Sequence, residues 1–255
     1  MCRHLAYLGP SRSLSSVLYE PAHSLEAQGR TPRLQREGAV NADGWGVGWW
    51  DASVGPEPAR FRTERTMWTD QTFRATAEVT HAEAFVAAVR NASSPTPIEA
   101  IGNAPFTSGP WLFSLNGFVA GFRSGVREQL VPAITRSRAR AIEGSSDSEV
   151  LFALVLDQLD AGGTPAEALA EVTSRVLALA TGKLNLLLSD GHEITATTGG
   201  NSLFFLAGRG LAAGGMLLAS EPLDDDPGWT SVPDESLWIG TADGQSCQLL
   251  KRTQR

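Results

Sequence analysis

Short apolar runs enriched in aromatic residues open the chain. CRHLAYL at 2–8, WGVGWW at 45–50, AFVAAVR at 84–90 and WLFSLN at 111–116 predict β-strands. Between them, 70–79 predicts a helix capped near Thr69, and 20–40 reads as a polar, irregular connection. A loop of that length points to a segment that covers or lines a site. Further on the pattern turns helical. Ser146 with Glu149, and Thr164 with Pro165 and Glu167, form capping boxes that predict helices over 148–161 and 165–180. After Gly182 strand patterns return in LNLLLSDG, EITATT, SLFFLA, LLAS and SLWIG, separated by Gly, Asp and Asn turns. Strands, then helices, then strands predict an α+β layered fold with mainly antiparallel sheets, not an alternating βαβ chain. With no internal repeat, low-complexity tract or linker, one domain over 1–255 is expected.

Composition narrows the function classes. The 255 residues are 42% hydrophobic and 19% charged, enough to bury a core and unlike a disordered chain. Lys+Arg 21 against Asp+Glu 28 gives a net charge of −7, which argues against nucleic acid or an anionic membrane as partner and favours a small molecule. MCRHLAYLGPSRSLSS has no apolar signal segment, and no apolar run reaches the ~18 residues of a spanning helix, so a cytoplasmic protein is expected. His4, His23, His81 and His192 show no metal-ligand spacing, and no metal or cofactor is expected. A homo-oligomer stays open. Gly208 to Gly214 imitates a dinucleotide loop but lacks the helix that should follow.

Two cysteines, Cys2 and Cys247, suit a reducing compartment better than a disulfide framework. Cys247 reads as a small buried hydrophobe in a terminal strand. Cys2 differs because removal of Met1 would place a thiol and a free α-amino group on one residue. An α-amine titrates near ~8, far below lysine, and can take the proton of its own thiol near neutral pH. Other residues add weight. Asn41-Ala-Asp-Gly-Trp-Gly-Val-Gly-Trp places glycines at alternate positions, where a strand can pass close to another backbone or a ligand. Asn116-Gly117 is either a simple turn or a side-chain amide and a backbone N–H offered to one oxyanion. Arg90, ending an apolar strand, must find an anion or emerge at a sheet edge. Asp147, at a helix start, either completes the cap or waits for a cationic amine.

Cys2, NADGWG, Arg90 with the following Asn-Ala-Ser, Asn116-Gly117 and Asp147-Ser148-Glu149 together resemble, in order and spacing, the class II glutamine amidotransferase family. The likeness is strongest to its ergothioneine-pathway branch, through MCRHLAYLG, VNADGWGVGWW, AAVRNAS, APF and LNG. The resemblance implies an αββα four-layer N-terminal nucleophile hydrolase sandwich acting on a small-molecule γ-glutamyl substrate. It implies Cys2 as nucleophile and base, Asn116 and Gly117 as oxyanion donors, Arg90 on the substrate α-carboxylate and Asp147 on its α-amino group. Asn91, Ser93, Ser148, Trp45 and Gly46 are expected beside the substrate, and Trp45, Trp49, Trp68, Trp111 and Phe106 are candidate faces for a quaternary ammonium. Two departures stand out. Where members of the family often carry histidine, this chain has Leu115 and Ala104, so the pocket wall should differ. A domain of this family would fill the length of the chain, so a stand-alone hydrolase is expected. The alternatives are a glutaminase feeding a separate synthetase and a silent binder of glutamate conjugates.

Overall fold

A computed structural model describes residues 2–36, 38, 40–92 and 98–250. Thirteen strands occur among these residues: β1 (Arg3–Ser13), β2 (Trp45–Trp49), β3 (Ala59–Thr63), β4 (His81–Val89), β5 (Phe106–Ser108), β6 (Trp111–Val119), β7 (Gly182–Ser189), β8 (Glu193–Thr197), β9 (Phe204–Ala207), β10 (Met216–Ala219), β11 (Thr230–Ser231), β12 (Ser236–Thr241) and β13 (Gly244–Leu249). They form two antiparallel sheets. The first runs β11-β9-β10-β1-β4-β2-β3, and the second β13-β12-β8-β7-β6-β5.

Strand alternation divides the buried side chains into three cores. On the outer face of the first sheet, Leu5, Trp45, Val47, Phe85 and Leu217 pack under α1 (Ser15–Leu18), α2 (Leu25–Arg30) and α3 (Gln71–Val79). Between the sheets, Ala6, Val86 and Leu218 meet Leu112, Leu187 and Trp238. On the outer face of the second sheet, Phe113, Leu115, Leu186 and Leu188 pack beneath a helical layer. That layer comprises α4 (Val126–Leu130), α5 (Arg136–Ala141), α6 (Asp147–Asp160) and α7 (Pro165–Leu179). The result is the four-layer αββα order, helices outside and sheets face to face.

The alternate glycines of β2 act in this packing. A Cβ at Gly46 would lie 2.6 Å from the Ala104 carbonyl, and one at Gly48 would lie 2.6 Å from Leu112, so bare backbone lets the second sheet close on the first. Trp45, of opposite parity, points outward. It is fully buried, with its ring 4.9 Å from Phe73 and 5.2 Å from Phe61.

Both capping boxes form, and the two long helices start within a residue of their predicted ends. Four details differ. Asp70, not Thr69, caps α3, its carboxylate accepting from the Phe73 N–H. Asn116-Gly117 is no turn but lies within β6. The 20–40 segment contains α2, capped by Ser24, and none of its described residues lines the cavity that holds Cys2. Cys247 is exposed on the edge strand β13, which has no outer neighbour among the described residues to bury it. Among the described residues, no helix is long and apolar enough to cross a membrane.

Candidate active site

The interior between the sheets is apolar at one end and polar at the other. Toward the polar end, β1 carries Ala6 and then His4 on its inner face, and Cys2 precedes the strand. Cys2 lines a cavity of about 380 Å³ together with Arg90, Asn91, Gly117, Asp147 and Ser148. Six of the ten residues expected at the site therefore share one cavity. Its remaining walls include Ala104, Phe106, Leu115, Phe118 and Phe122. Leu115 and Ala104, the two departures from the family pattern, thus present an apolar surface where an imidazole was the alternative.

Neighbouring backbone fixes each of these groups. Arg3 anchors the strand behind Cys2 by turning to the outer face, where its Nε lies 3.0 Å from Glu221 Oε1 in full burial. The other Glu221 oxygen lies 2.9 Å from His23 Nε2 and accepts from the Arg33 N–H at 2.7 Å. Burial would push this carboxyl up, but the His23 bond, the Arg33 N–H and the Arg3 charge outweigh it and hold the group below the usual carboxylate range. Arg90 follows β4 and is held by the NADGWG segment: its N–H donates to the Gly44 carbonyl at 2.9 Å, and its carbonyl accepts from the Asp43 N–H at 2.9 Å. Its guanidinium lies over Gly102, where any side chain would approach within 3.0 Å, and reaches Asn103 Oδ1 at 3.4 Å. Asn103 is fully buried and donates to the Thr63 carbonyl at 2.7 Å, so it orients the guanidinium.

Asp147 is the first residue of α6, but Ser146 and Glu149 do the capping. Its carboxylate is left to face the cavity, accepting from the Val119 N–H at 3.0 Å and the Ser148 N–H at 2.8 Å. Burial dominates over these bonds and raises its pKa above the ordinary aspartate value. A half-buried carboxylate in that condition is stabilised by any cation that enters.

Gly117 sits where a Cβ would lie 1.7 Å from the Lys183 carbonyl, so no side chain fits. Opposite it, Leu184 donates to Gly199 and not to β6. By antiparallel alternation the Gly117 N–H therefore points to the other edge of β6, which β5 covers only as far as Phe113. Asn116 does not line the cavity. It is fully buried on the inner face, and its Nδ2 donates to Ser220 Oγ at 3.1 Å.

Three expected residues need correction or fall outside the structure. Trp45 does not reach the cavity that holds Cys2, because strand parity turns its ring into the outer core. Gly46 is covered by Ala104 and likewise does not line it. Ser93 lies outside the described residues. Of the five aromatic faces considered for a quaternary ammonium, Phe106 alone lines the cavity.

Sequence reasoning missed the polar cluster behind Asn116. His4, Ser114, Asn185 and Ser220 are fully buried there, with Asn201 and Ser202 partly so. The available signal was polar residues at inward parity in apolar strands, as in LFSLNG and KLNLLLS. His4 Nδ1 is 3.2 Å from Ser114 Oγ, and burial, reinforced by the Arg3 charge, lowers the His4 pKa to about 3. His4 is thus a neutral structural group at physiological pH.

Comparison with known proteins bears on the family and the fold. Residues 24–210 match the family described as glutamine amidotransferases class-II. The chain is 37% identical over 238 residues to the γ-glutamyl-hercynylcysteine sulfoxide hydrolase of Mycolicibacterium smegmatis, covering 93% of this chain and 94% of that protein. It is 36% identical to the Mycobacterium tuberculosis protein of the same name, covering 100% of this chain and 99% of that one. Among solved structures, a glutamine aminotransferase class-II domain protein from Silicibacter pomeroyi superposes with a TM-score of 0.69 at 26% identity, over 98% of this chain and 100% of that one. The glutamine phosphoribosylpyrophosphate amidotransferase of B. subtilis superposes with a TM-score of 0.68 at 17% identity, over 98% of this chain and 49% of that one. The two-sheet αββα fold is therefore shared with these amidotransferases. A family match across most of the chain, near-complete alignment with these relatives and a shared four-layer fold lead to one conclusion: this chain belongs to the class-II glutamine amidotransferases.

Proposed function

We propose that the chain is an amidohydrolase of ergothioneine biosynthesis that cleaves γ-glutamyl-hercynylcysteine S-oxide to glutamate and hercynylcysteine S-oxide. The observation that carries this reading is the gathering of Cys2, Arg90, Gly117 and Asp147 on one cavity, in a chain 37% identical to a hydrolase of that name. Arg90 takes the α-carboxylate of the γ-glutamyl group as a planar fork, and Asp147 takes its α-ammonium. Only a free amino acid end satisfies both charges, so a substrate lacking one leaves the other unpaired.

Catalysis requires Cys2 to carry a free α-amino group. That amine removes the thiol proton, and the thiolate attacks the γ-carbonyl carbon. The Asn116 amide and the Gly117 N–H hold the resulting oxyanion, each donor being worth ~3 kcal/mol in the transition state. The α-ammonium then protonates the leaving nitrogen as the C–N bond breaks, and a γ-glutamyl thioester remains on Cys2. Water attacks the thioester, the amine takes its proton, and glutamate leaves with the thiol restored. His4, neutral with its pKa at about 3, is too weak a base to compete for this role. Phe106 offers the leaving half an aromatic face for its trimethylammonium group.

The test is a direct comparison of this substrate with free glutamine, together with intact-mass measurement after acid quench. Preferred turnover of the sulfoxide conjugate and a γ-glutamyl adduct on the Cys2 peptide are expected. Far better turnover of glutamine would replace this reading with an ammonia-donating glutaminase. Tight binding without turnover would favour a silent binder.

A pH dependence follows from Asp147. Its carboxylate binds the ammonium and its protonated form does not, so affinity is complete above its pKa and declines as pH falls through it. Because burial raises that pKa, KM should begin to rise at a higher pH than an ordinary aspartate would dictate, by about tenfold per pH unit once below it. Asp147→Asn should raise KM and flatten this limb. The same raised pKa means that ionised Asp147 costs folding stability, which is lost as pH rises through it. The Asn variant should therefore melt at or above the wild-type temperature in the absence of ligand.

A further inference from the structure

We infer that Ser220 and Asn201 are positioning residues that fix the orientation of the Asn116 amide, so that an N–H and not the carbonyl oxygen is presented to the oxyanion. This rests on the proposed role of Asn116. An asparagine amide can rotate by half a turn at little steric cost, and the wrong orientation would set an oxygen against a developing negative charge. The cluster behind Asn116 removes that freedom.

Asn201 Nδ2 can only donate, and it reaches the Asn116 carbonyl at 2.9 Å and Asn116 Oδ1 at 3.4 Å. The amide oxygen must therefore face Asn201. On the other side, Ser220 Oγ directs its own proton to the His4 carbonyl at 3.2 Å and accepts from the His4 N–H at 3.0 Å. Only a lone pair is left for Asn116, and Nδ2 fills it at 3.1 Å. One N–H is consumed there and the second remains for another acceptor.

Both positioning residues are themselves held through their backbone groups. Asn185 accepts from the Asn201 N–H at 3.2 Å and donates to its carbonyl at 3.0 Å. Ser220 pairs through its own N–H with the His4 carbonyl at 2.9 Å, and its carbonyl accepts from Ser202 Oγ at 2.8 Å. Ser220 thus bonds at once to the strand that follows Cys2, in the first sheet, and to Asn116, in the second. It couples the proposed nucleophile to the proposed oxyanion donor without lining the substrate cavity.

The experiment measures kcat and KM for γ-glutamyl-hercynylcysteine S-oxide in wild type, Ser220→Ala, Asn201→Ala, Asn116→Ala and the Ser220→Ala/Asn116→Ala double variant. Loss of a full oxyanion donor costs about 100- to 1000-fold in kcat, and loss of its alignment part of that. Ser220→Ala should lower kcat by about tenfold or more with KM within about twofold. The double variant should be no slower than Asn116→Ala, because Ser220 acts through Asn116. A folded Ser220→Ala with wild-type kcat, alongside a slow Asn116→Ala, would overturn the positioning role and leave the proposed function standing. So would single effects that multiply in the double variant. If Asn116→Ala itself kept full kcat, the oxyanion role and the positioning role would fall together. Should Ser220→Ala not fold, Asn201→Ala carries the same comparison with the β1–β10 junction intact.

Discussion

Cys2→Ala should abolish hydrolysis, by roughly 10⁴-fold or more in kcat, while leaving substrate affinity close to wild type. The thiol is the only protein group in the proposed mechanism that forms a bond to carbon, so no other residue replaces it. Arg90, Asp147 and the cavity walls are untouched, and calorimetric titration with substrate should still give a binding isotherm. No adduct should appear in acid-quenched samples. A Cys2→Ala protein that still turns over would remove Cys2 from the mechanism, and a fully active protein with Met1 in place would remove the α-amine. Cys2→Ser should acylate slowly if at all, because the hydroxyl holds its proton far more tightly than the thiol.

The second large effect is expected at Arg90. Replacing it with methionine fills the space over Gly102 while deleting the fork, which separates charge from packing. Truncating one side of a buried, hydrogen-bonded charge pair costs about 2–5 kcal/mol, so KM should rise by about two orders of magnitude or more. Arg90→Lys should recover only part of this, since a point charge cannot make two parallel bonds to a carboxylate. Glutamate, as product, should lose affinity in parallel. An unchanged KM in a folded Arg90→Met protein would place the substrate α-carboxylate elsewhere.

What the sequence revealed and what it hid divide along the range of the interactions. Helices α6 and α7 were legible because their capping boxes lie within four residues of chain. Strand β3, with the sequence ARFRT, was not, because it is an edge strand whose half-exposed faces carry no apolar alternation, whereas the strand around Cys247 was legible and only its burial was not. The position of Trp45 was readable in principle: in Trp-Gly-Val-Gly-Trp the glycines and the large side chains must face opposite ways, and only one face can meet the second sheet. Leu115 and Ala104 became informative once both lined the cavity. Ser220 and Asn201 had no local signature, since their partners lie 104 and 85 positions away.

The place of β1 inside its sheet also governs the order in which the molecule can assemble. His4 and Ser220 are 216 positions apart, yet they share a strand junction, with β1 flanked by β4 on one side and β10 on the other. Contacts of such separation are rewarded only after a large loop-closure entropy has been met, which makes folding slow and its late steps cooperative. A nascent chain can form α6 and α7 as soon as they are synthesised, but β1 has one neighbour until β10 emerges. The cavity around Cys2 is therefore among the last features to become rigid, and a refolding assay that follows helix content should report structure well before it reports activity.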